Sequence, residues 1–271
     1  MNRTVPASRE PRVFARDASR FVAVLALAAG LLACAAPACL AADAPPDGAT
    51  ILARYAAAMG GAAWDSLQNM VLHKVLSLQG TNVQVGVTEY RARPNRMYVI
   101  QDSPAGKGYV GVTGEDAWEY SVQQGSKLLE GQEQADALRE AHFDGLVKWK
   151  KGYRLADAAG VDTVGNRPCY KVVMKPRMGS PETMWFDEET GLLARVEGTY
   201  ESTQLGTTTA RTEYSDYRKI GNVMLPHKSI TDMRGQRIVI TMVEVELNKE
   251  LDADRFDPPS EVRKLISAKK P

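Results

Sequence analysis

Between Met70 and Asn248 apolar residues recur at alternate positions in short runs about ten residues apart, and Gly, Pro, Asn and Asp gather between the runs. A period of two puts successive side chains on opposite faces of a strand, and turn residues at this spacing join one strand directly to the next. Parallel neighbours would need a crossover of a dozen or more residues, and nearly all the gaps are too short for one. The sheet is therefore antiparallel, a meander of consecutive hairpins.

Two helical stretches interrupt this pattern. The segment 47–69 carries Ile51, Leu52, Tyr55 and Met59 on one helical stripe behind Asp47 or Thr50 as cap; Gly60-Gly61 breaks it, and a second turn follows over 62–67 with Trp64. The segment 130–142 places Ala135, Leu138, Ala141 and His142 on one side, with Gly145 as its stop. Strands are predicted over 70–78, 83–87, 97–101, 109–113 and 117–122 before the second helix. After it they run over 153–159, 169–175, 183–187, 192–202, 207–217, 224–233 and 236–248. In the turn 187–191 Asp187 can accept hydrogen bonds from the backbone that follows and Gly191 can take a positive φ, a hairpin device with a purely structural role.

One strand has a wet face: Leu192, Ala194, Val196 and Tyr200 alternate with Arg195, Glu197 and Thr199. The last strand differs, because Val239, Val243, Val245 and Leu247 share one face while Ile238, Ile240 and Met242 occupy the other. Both sides of it are expected to be covered, one by core and one by a concave space under the helices. Trp118, Tyr120, Trp149, Met184 and Phe186, together with Ile238, Ile240 and Met242, are the candidate ligand-binding residues of that space.

The first 42 residues read as an export signal. Arg3, Arg9, Arg12, Arg16 and Arg20 precede an apolar segment from Phe21 to Ala33, too short for a stable bilayer span, and small residues follow Pro37. Two processing routes fit. Leu31-Leu32-Ala33-Cys34 matches a lipoprotein box with Cys34 as the lipid-bearing residue, and the stretch from Cys39 to Ala42 suits release of a soluble periplasmic protein. The expected divisions are a signal peptide over 1–42, one domain over 43–259 and a basic, frayed tail over 260–271. The whole chain has 34 basic and 33 acidic side chains; less the five and two in the leader, 29 and 31 remain, a balance near −2. Such a surface has no basic excess for nucleic acid.

No catalytic constellation emerges. His73, His142 and His227 are not paired at ligand spacing and Cys169 stands alone in a strand, so neither a metal site nor a cofactor is expected. There is no Gly-x-Ser-x-Gly, the glycines at 106, 108, 111 and 114 do not open a helix, and the paired carboxylates sit at turns. His227 reads as a surface residue at a strand end and Cys169 as a small buried hydrophobe. The reading is of a non-enzyme.

An exported leader, the helix ending in Met59-Gly60-Gly61, Tyr90-Arg91-Ala92-Arg93-Pro94, Gly114-Glu115-Asp116-Ala117-Trp118, Asp187-Glu188-Glu189-Thr190-Gly191-Leu192 and Tyr217-Arg218-Lys219-Ile220-Gly221 with Leu225-Pro226 occur in this order. In order and spacing the chain resembles the LolA-like outer-membrane lipoprotein-sorting superfamily over nearly all of 47–259. The resemblance implies an α+β fold: a strongly curved, half-open antiparallel β-barrel of about ten to twelve strands, closed on its concave side by helices. It implies a hydrophobic cavity for lipid or lipoprotein acyl chains, with Arg91 and Arg93 in the region where such carriers couple lid opening to uptake. A lipid or lipoprotein carrier of the cell envelope is the function this implies, with peripheral membrane contact. The alternative is a sensor or interaction module that meets an envelope protein partner, or, further off, an accessory to an enzyme.

Overall fold

The computed structural model describes residues 45–202 and 206–269; the leader and Cys34 lie outside them. Thirteen strands form a single antiparallel sheet, β1 (Asn69–Leu78), β2 (Gln84–Ala92), β3 (Arg96–Ser103), β4 (Gly106–Thr113), β5 (Asp116–Ser121), β6 (Gly125–Leu128), β7 (Tyr153–Val164), β8 (Arg167–Pro176), β9 (Glu182–Asp187), β10 (Leu193–Ser202), β11 (Gly206–Ile220), β12 (Val223–Met233) and β13 (Gln236–Leu247). The spatial order is β6-β5-β4-β3-β2-β1-β13-β12-β11-β10-β9-β8-β7, so two meanders meet where β1 pairs with β13. The sheet curves strongly and does not close, because β6 and β7 remain its two edges. Twelve of the strands follow the hydrophobic period. The four-residue β6 was too short to register, and β7 runs on to Val164 through an irregularity between Ala158 and Val161, where Gly160 has a φ of 97°.

Helix α1 (Gly48–Ala58) starts at Asp47, whose carboxylate accepts the Thr50 amide at 2.7 Å, and it buries Ile51, Leu52 and Tyr55. It ends as Gly60 reaches a φ of 111°. A Cβ there would lie 2.5 Å from the Asn222 carbonyl, so only glycine lets the β11–β12 turn close against the helix end. The Asp187 turn forms as expected. Its Oδ1 accepts the amides of Glu189 and Thr190 at 3.1 and 2.8 Å, and the Gly191 amide returns to the Asp187 carbonyl at 2.9 Å.

Helix α2 (Gly131–Glu140) ends before Gly145, which instead opens a 3-10 stretch over Gly145–Lys151 that the period did not reveal. Ala135 and Ala141 are buried as expected. Ala141 packs with Met97, Val112, Ala117 and Leu129 on the inner face of β3–β5, and Leu138 covers the same cluster. Up to Lys269 the tail is not the frayed segment expected. Ser260–Lys269 is a third helix, α3, which packs on β5 and β6 and fully buries Val262.

The face assignment of β13 is corrected by the register. His73 pairs with Glu244 and Lys74 with Met242, so Val243 is an extra residue on β13. A single inserted residue reverses the parity of everything beyond it. Ile238, Ile240 and Met242 therefore lie on the same side as Val245 and Leu247, opposite Leu78, Leu76, Lys74, Leu72 and Met70. That side is concave, and Val243 is 66% exposed on the outside. Val239 and Val243 lie on the outer face, and the apolar residues of the inner face are one set divided by a bulge.

Trp118 is also placed differently from expectation. It shares a face with its cross-strand neighbour Gly111 and with Tyr98, its edge-on ring partner at 5.6 Å, while the alternate residues Ala117 and Val112 face inward under α2. Its face is the outer one, covered by α3 and the segment before it: the Trp118 indole donates to Thr113 at 3.3 Å, and the Thr113 hydroxyl meets the Phe256 carbonyl. Tyr120, two residues on, is on the same outer face beside Tyr109. Trp118→Ala is expected to lower the free energy of unfolding by about 3–5 kcal/mol in urea titrations, through lost burial and the void left behind.

Candidate functional site: a hollow beneath the helices

The concave face of β1, β2 and β11–β13, roofed by α1 and the residues around 143–147, encloses a cavity of about 390 Å³. Its floor is Met70, Leu72, Ile240 and Met242, and its roof includes Met59, Trp64 and Phe143. A second cavity of about 410 Å³ adjoins it beneath α2, between β2 on one side and β9–β11 on the other. The two share Tyr55, Arg91, Glu140, Leu146, Tyr214 and Pro226 in their walls. Each is within the size range of small-molecule sites, which runs from about 300 to 1,000 Å³.

Of the residues singled out in the sequence, Ile240 and Met242 line the first cavity and Met184 the second. Ile238 is on the concave face one pair further along β13. Phe186 is fully buried against the Tyr55 ring, at 5.5 Å, and belongs to the packed core under α1. Trp149 packs on that core from the 3-10 stretch. Trp118 and Tyr120 are on the opposite side of the sheet. Trp118 is buried and Tyr120 half-buried, but two helices cover β5, one on each face, and local alternation does not say which is the hollow.

Arg91 and Arg93 differ sharply in their surroundings. Arg91 lies in both cavity walls and makes an ion pair with Glu89, whose other oxygen takes the Lys74 ammonium at 2.5 Å. It also donates to the Glu140 carbonyl at 2.8 Å, which joins the sheet floor to the C-terminal end of α2. Burial pushes the Glu89 carboxyl up, but Arg91 and Lys74 outweigh it and hold the carboxyl far below the ordinary range. Arg93 does not line either cavity. Its guanidinium grips Asp144 at 2.6 and 3.1 Å, donates to the carbonyls of Leu67 and Trp64 at 2.6 and 2.7 Å, and lies 4.8 Å from the centre of the Phe143 ring. One side chain thereby fastens both 3-10 segments to the end of β2.

Helix α2 crosses the hollow from β5 to β10 and is tied on both sides. Towards β9 and β10, Arg139 meets Glu182 at 2.5 Å, Tyr153 donates to the same carboxylate at 2.9 Å, and Gln132 donates to the Thr199 carbonyl at 3.2 Å. Towards β5, Gln134 donates to the Glu115 carbonyl at 2.8 Å. The polar ties were invisible in the sequence, since Glu182 is 43 residues from its partner Arg139 and no local pattern relates them.

His227 is buried, which corrects the surface placement expected from its position beside Pro226. It lies in the wall of the first cavity, and its Nδ1 is 3.1 Å from the Leu225 carbonyl, an arrangement that fits Nδ1–H as donor. Cys169 is buried as well. Among the described residues no three His, Cys, Asp or Glu side chains gather in a way that could hold a metal ion.

No family model matches this chain, and no curated protein matches it. Solved structures do share its architecture. A DUF1329 family protein from Desulfovibrio piger aligns over 78% of this chain and 98% of its own, with 17% identity and a TM-score of 0.56. A LolA superfamily protein from Nitrosomonas europaea aligns over 79% and 99%, with 14% identity and a TM-score of 0.52. The fold is LolA-like. A third structure, an outer membrane lipoprotein-sorting protein domain from Vibrio parahaemolyticus, covers 78% of this chain and 96% of its own at 11% identity and a TM-score of 0.52. The architecture is thus shared with proteins no more than 17% identical to this chain.

The Arg93–Asp144 clamp gives this LolA-like fold a distinct acid sensitivity. Burial pushes the Asp144 carboxyl up, but hydrogen bonds from Arg93 and Lys151 outweigh it and hold the carboxyl below its ordinary value of 3.8. A depressed carboxylate contributes stability above its unfolded pKa and loses it as pH falls through the folded value. Asp144→Asn is expected to flatten the acid limb of a stability–pH profile below about pH 4. At neutral pH, Arg93→Met is expected to cost about 3 kcal/mol in chemical unfolding, because Asp144 would stay buried with Lys151 alone.

Proposed function

We propose that the chain is an exported carrier or binder of a hydrophobic ligand in the bacterial cell envelope, with the concave hollow as its site. The observation that carries this reading is the bulge-corrected face of β13, which sets Ile240 and Met242 on the floor of an unfilled space, in line with Val245 and Leu247, which pack into the core beside it. An ordinary core would have closed over those side chains, since protein interiors pack nearly as densely as organic crystals. Burial of an acyl chain there contributes about 0.8 kcal/mol per methylene, set against the cost of parting α2 from its ties. The shared fold of a lipoprotein-sorting domain supports an acyl-bearing ligand. Residues 1–42 are proposed as the export signal, with the mature protein in the periplasm or held at the outer membrane through lipidated Cys34.

Ligand binding is tested by titrating delipidated protein with a fluorescent fatty acid. Saturable binding is expected. Ile240→Asp, which places a charge on the cavity floor, should reduce affinity by at least tenfold, whereas Glu197→Ala, on the outer face where Glu197 pairs with Arg211, should leave it unchanged. Absence of saturable binding, or equal loss in both folded variants, contradicts the site. Intact-mass measurement on exported protein decides the N-terminus: a chain beginning near Ala42 indicates soluble release, and a diacylated Cys34 indicates a lipoprotein.

A further inference from the structure

Five tyrosines line the second cavity, and they fall into two groups. Tyr153 donates to Glu182 at 2.9 Å and Tyr217 donates to the Leu193 carbonyl at 2.8 Å, so these two are held by the protein itself. Tyr55, Tyr200 and Tyr214 also face this cavity, and among the described residues their hydroxyls have no hydrogen-bond partner. Tyr55 is 94% buried, being 6% exposed, and along with Tyr214 it lines the first cavity too. A phenol at the wall of a cavity completes its hydrogen bond with whatever occupies that cavity.

The charges of the same wall restrict what that something is. Both permanent cations of the second cavity are already paired, Arg91 with Glu89 and Arg139 with Glu182 and Asp136. His142 holds Asn95 at 2.8 Å, and burial and the nearby Lys151 press it below its usual pKa, towards the neutral form. Asp136, Glu140 and Glu182 add carboxylates to the lining. An anionic head group would find no free positive charge there and would meet acidic neighbours, and desolvating it would go uncompensated. The phenols stay protonated donors at neutral pH, since burial pushes Tyr55 and Tyr214 well up and Tyr200 up to about 12.

We propose that the second cavity recognises an uncharged, hydrogen-bond-accepting head group, the ester and hydroxyl end of a neutral acylglycerol, through the hydroxyls of Tyr55, Tyr200 and Tyr214. The acyl chain then lies in the adjoining cavity over Leu72, Ile240 and Met242. This rests on the hydrophobic-ligand reading above and specifies the chemistry of its polar end.

The test uses the full chain as purified after export and delipidated, with the fluorescent hydrocarbon diphenylhexatriene as reporter and 1-monooleoylglycerol, oleate and octadecene as competitors. Wild-type protein is expected to bind the reporter and to prefer monooleoylglycerol to oleate at neutral pH. The double variant Tyr55→Phe/Tyr214→Phe, which keeps ring volume and packing, should weaken monooleoylglycerol about tenfold, the loss of two neutral hydrogen bonds, with octadecene within twofold of wild type. Tyr200→Phe provides a second, independent variant. Tighter binding of oleate, or unchanged monooleoylglycerol affinity in all the folded variants, overturns the head-group assignment while leaving the hydrophobic site standing. If wild-type protein binds no reporter, the hydrophobic site itself fails and the head-group assignment falls with it.

Discussion

The structure depends on the register between β1 and β13, the seam at which the two meanders join. Because side chains alternate strictly along a strand, a one-residue error there would turn every apolar side chain of β13 to the wrong side. The bulge at Val243 performs that reversal within the strand, so that Ile240 and Met242 at one end and Val245 and Leu247 at the other all face the helices. The hollow exists because this seam is continuous. Its floor spans β1 and β13, and its walls are the strands that each of them leads into.

The helices cover the sheet without filling it, and the polar contacts explain how they are held in place. Arg93 secures the two 3-10 segments through Asp144 and two backbone carbonyls, while Arg139 and Glu182 fix α2 across the far wall. These contacts are directional, so the segments keep their positions at a distance set by hydrogen-bond geometry. Arg91 occupies a third position, in the cavity wall itself and bonded to the end of α2. Two arginines only two residues apart thus have different surroundings: Arg93, just past the end of β2, is held against the 3-10 segments, and Arg91, within β2, lies in the cavity walls.

Much of the fold was legible in the sequence. Twelve strands, two helices and the Asp187 turn follow from periodicity and turn chemistry alone, since each depends on residues within a few positions of one another. The candidate site was legible in part. Ile240, Met242 and Met184 do line the hollow, but Trp118 and Tyr120 were drawn in by their aromatic character although they face outward. Trp118 is buried on the face that α3 covers, a helix read from composition as a frayed basic tail. Val262 anchors that helix, and the helical spacing of Val262, Leu265 and Ile266 was outweighed by the basic composition of the segment around them.

By itself the sequence determined that the chain makes an antiparallel sheet with a few helices, because hydrophobic period and turn residues act locally and specify element type and sequential pairing. Which face of each strand became the inside was decided only in three dimensions. Parity depends on where a bulge falls, and a bulge is defined by two strands that are far apart in the chain. The same holds for the phenols in the second cavity. Tyr55, Tyr200 and Tyr214 are spread over 160 residues, and only the curvature of the sheet brings them to one space.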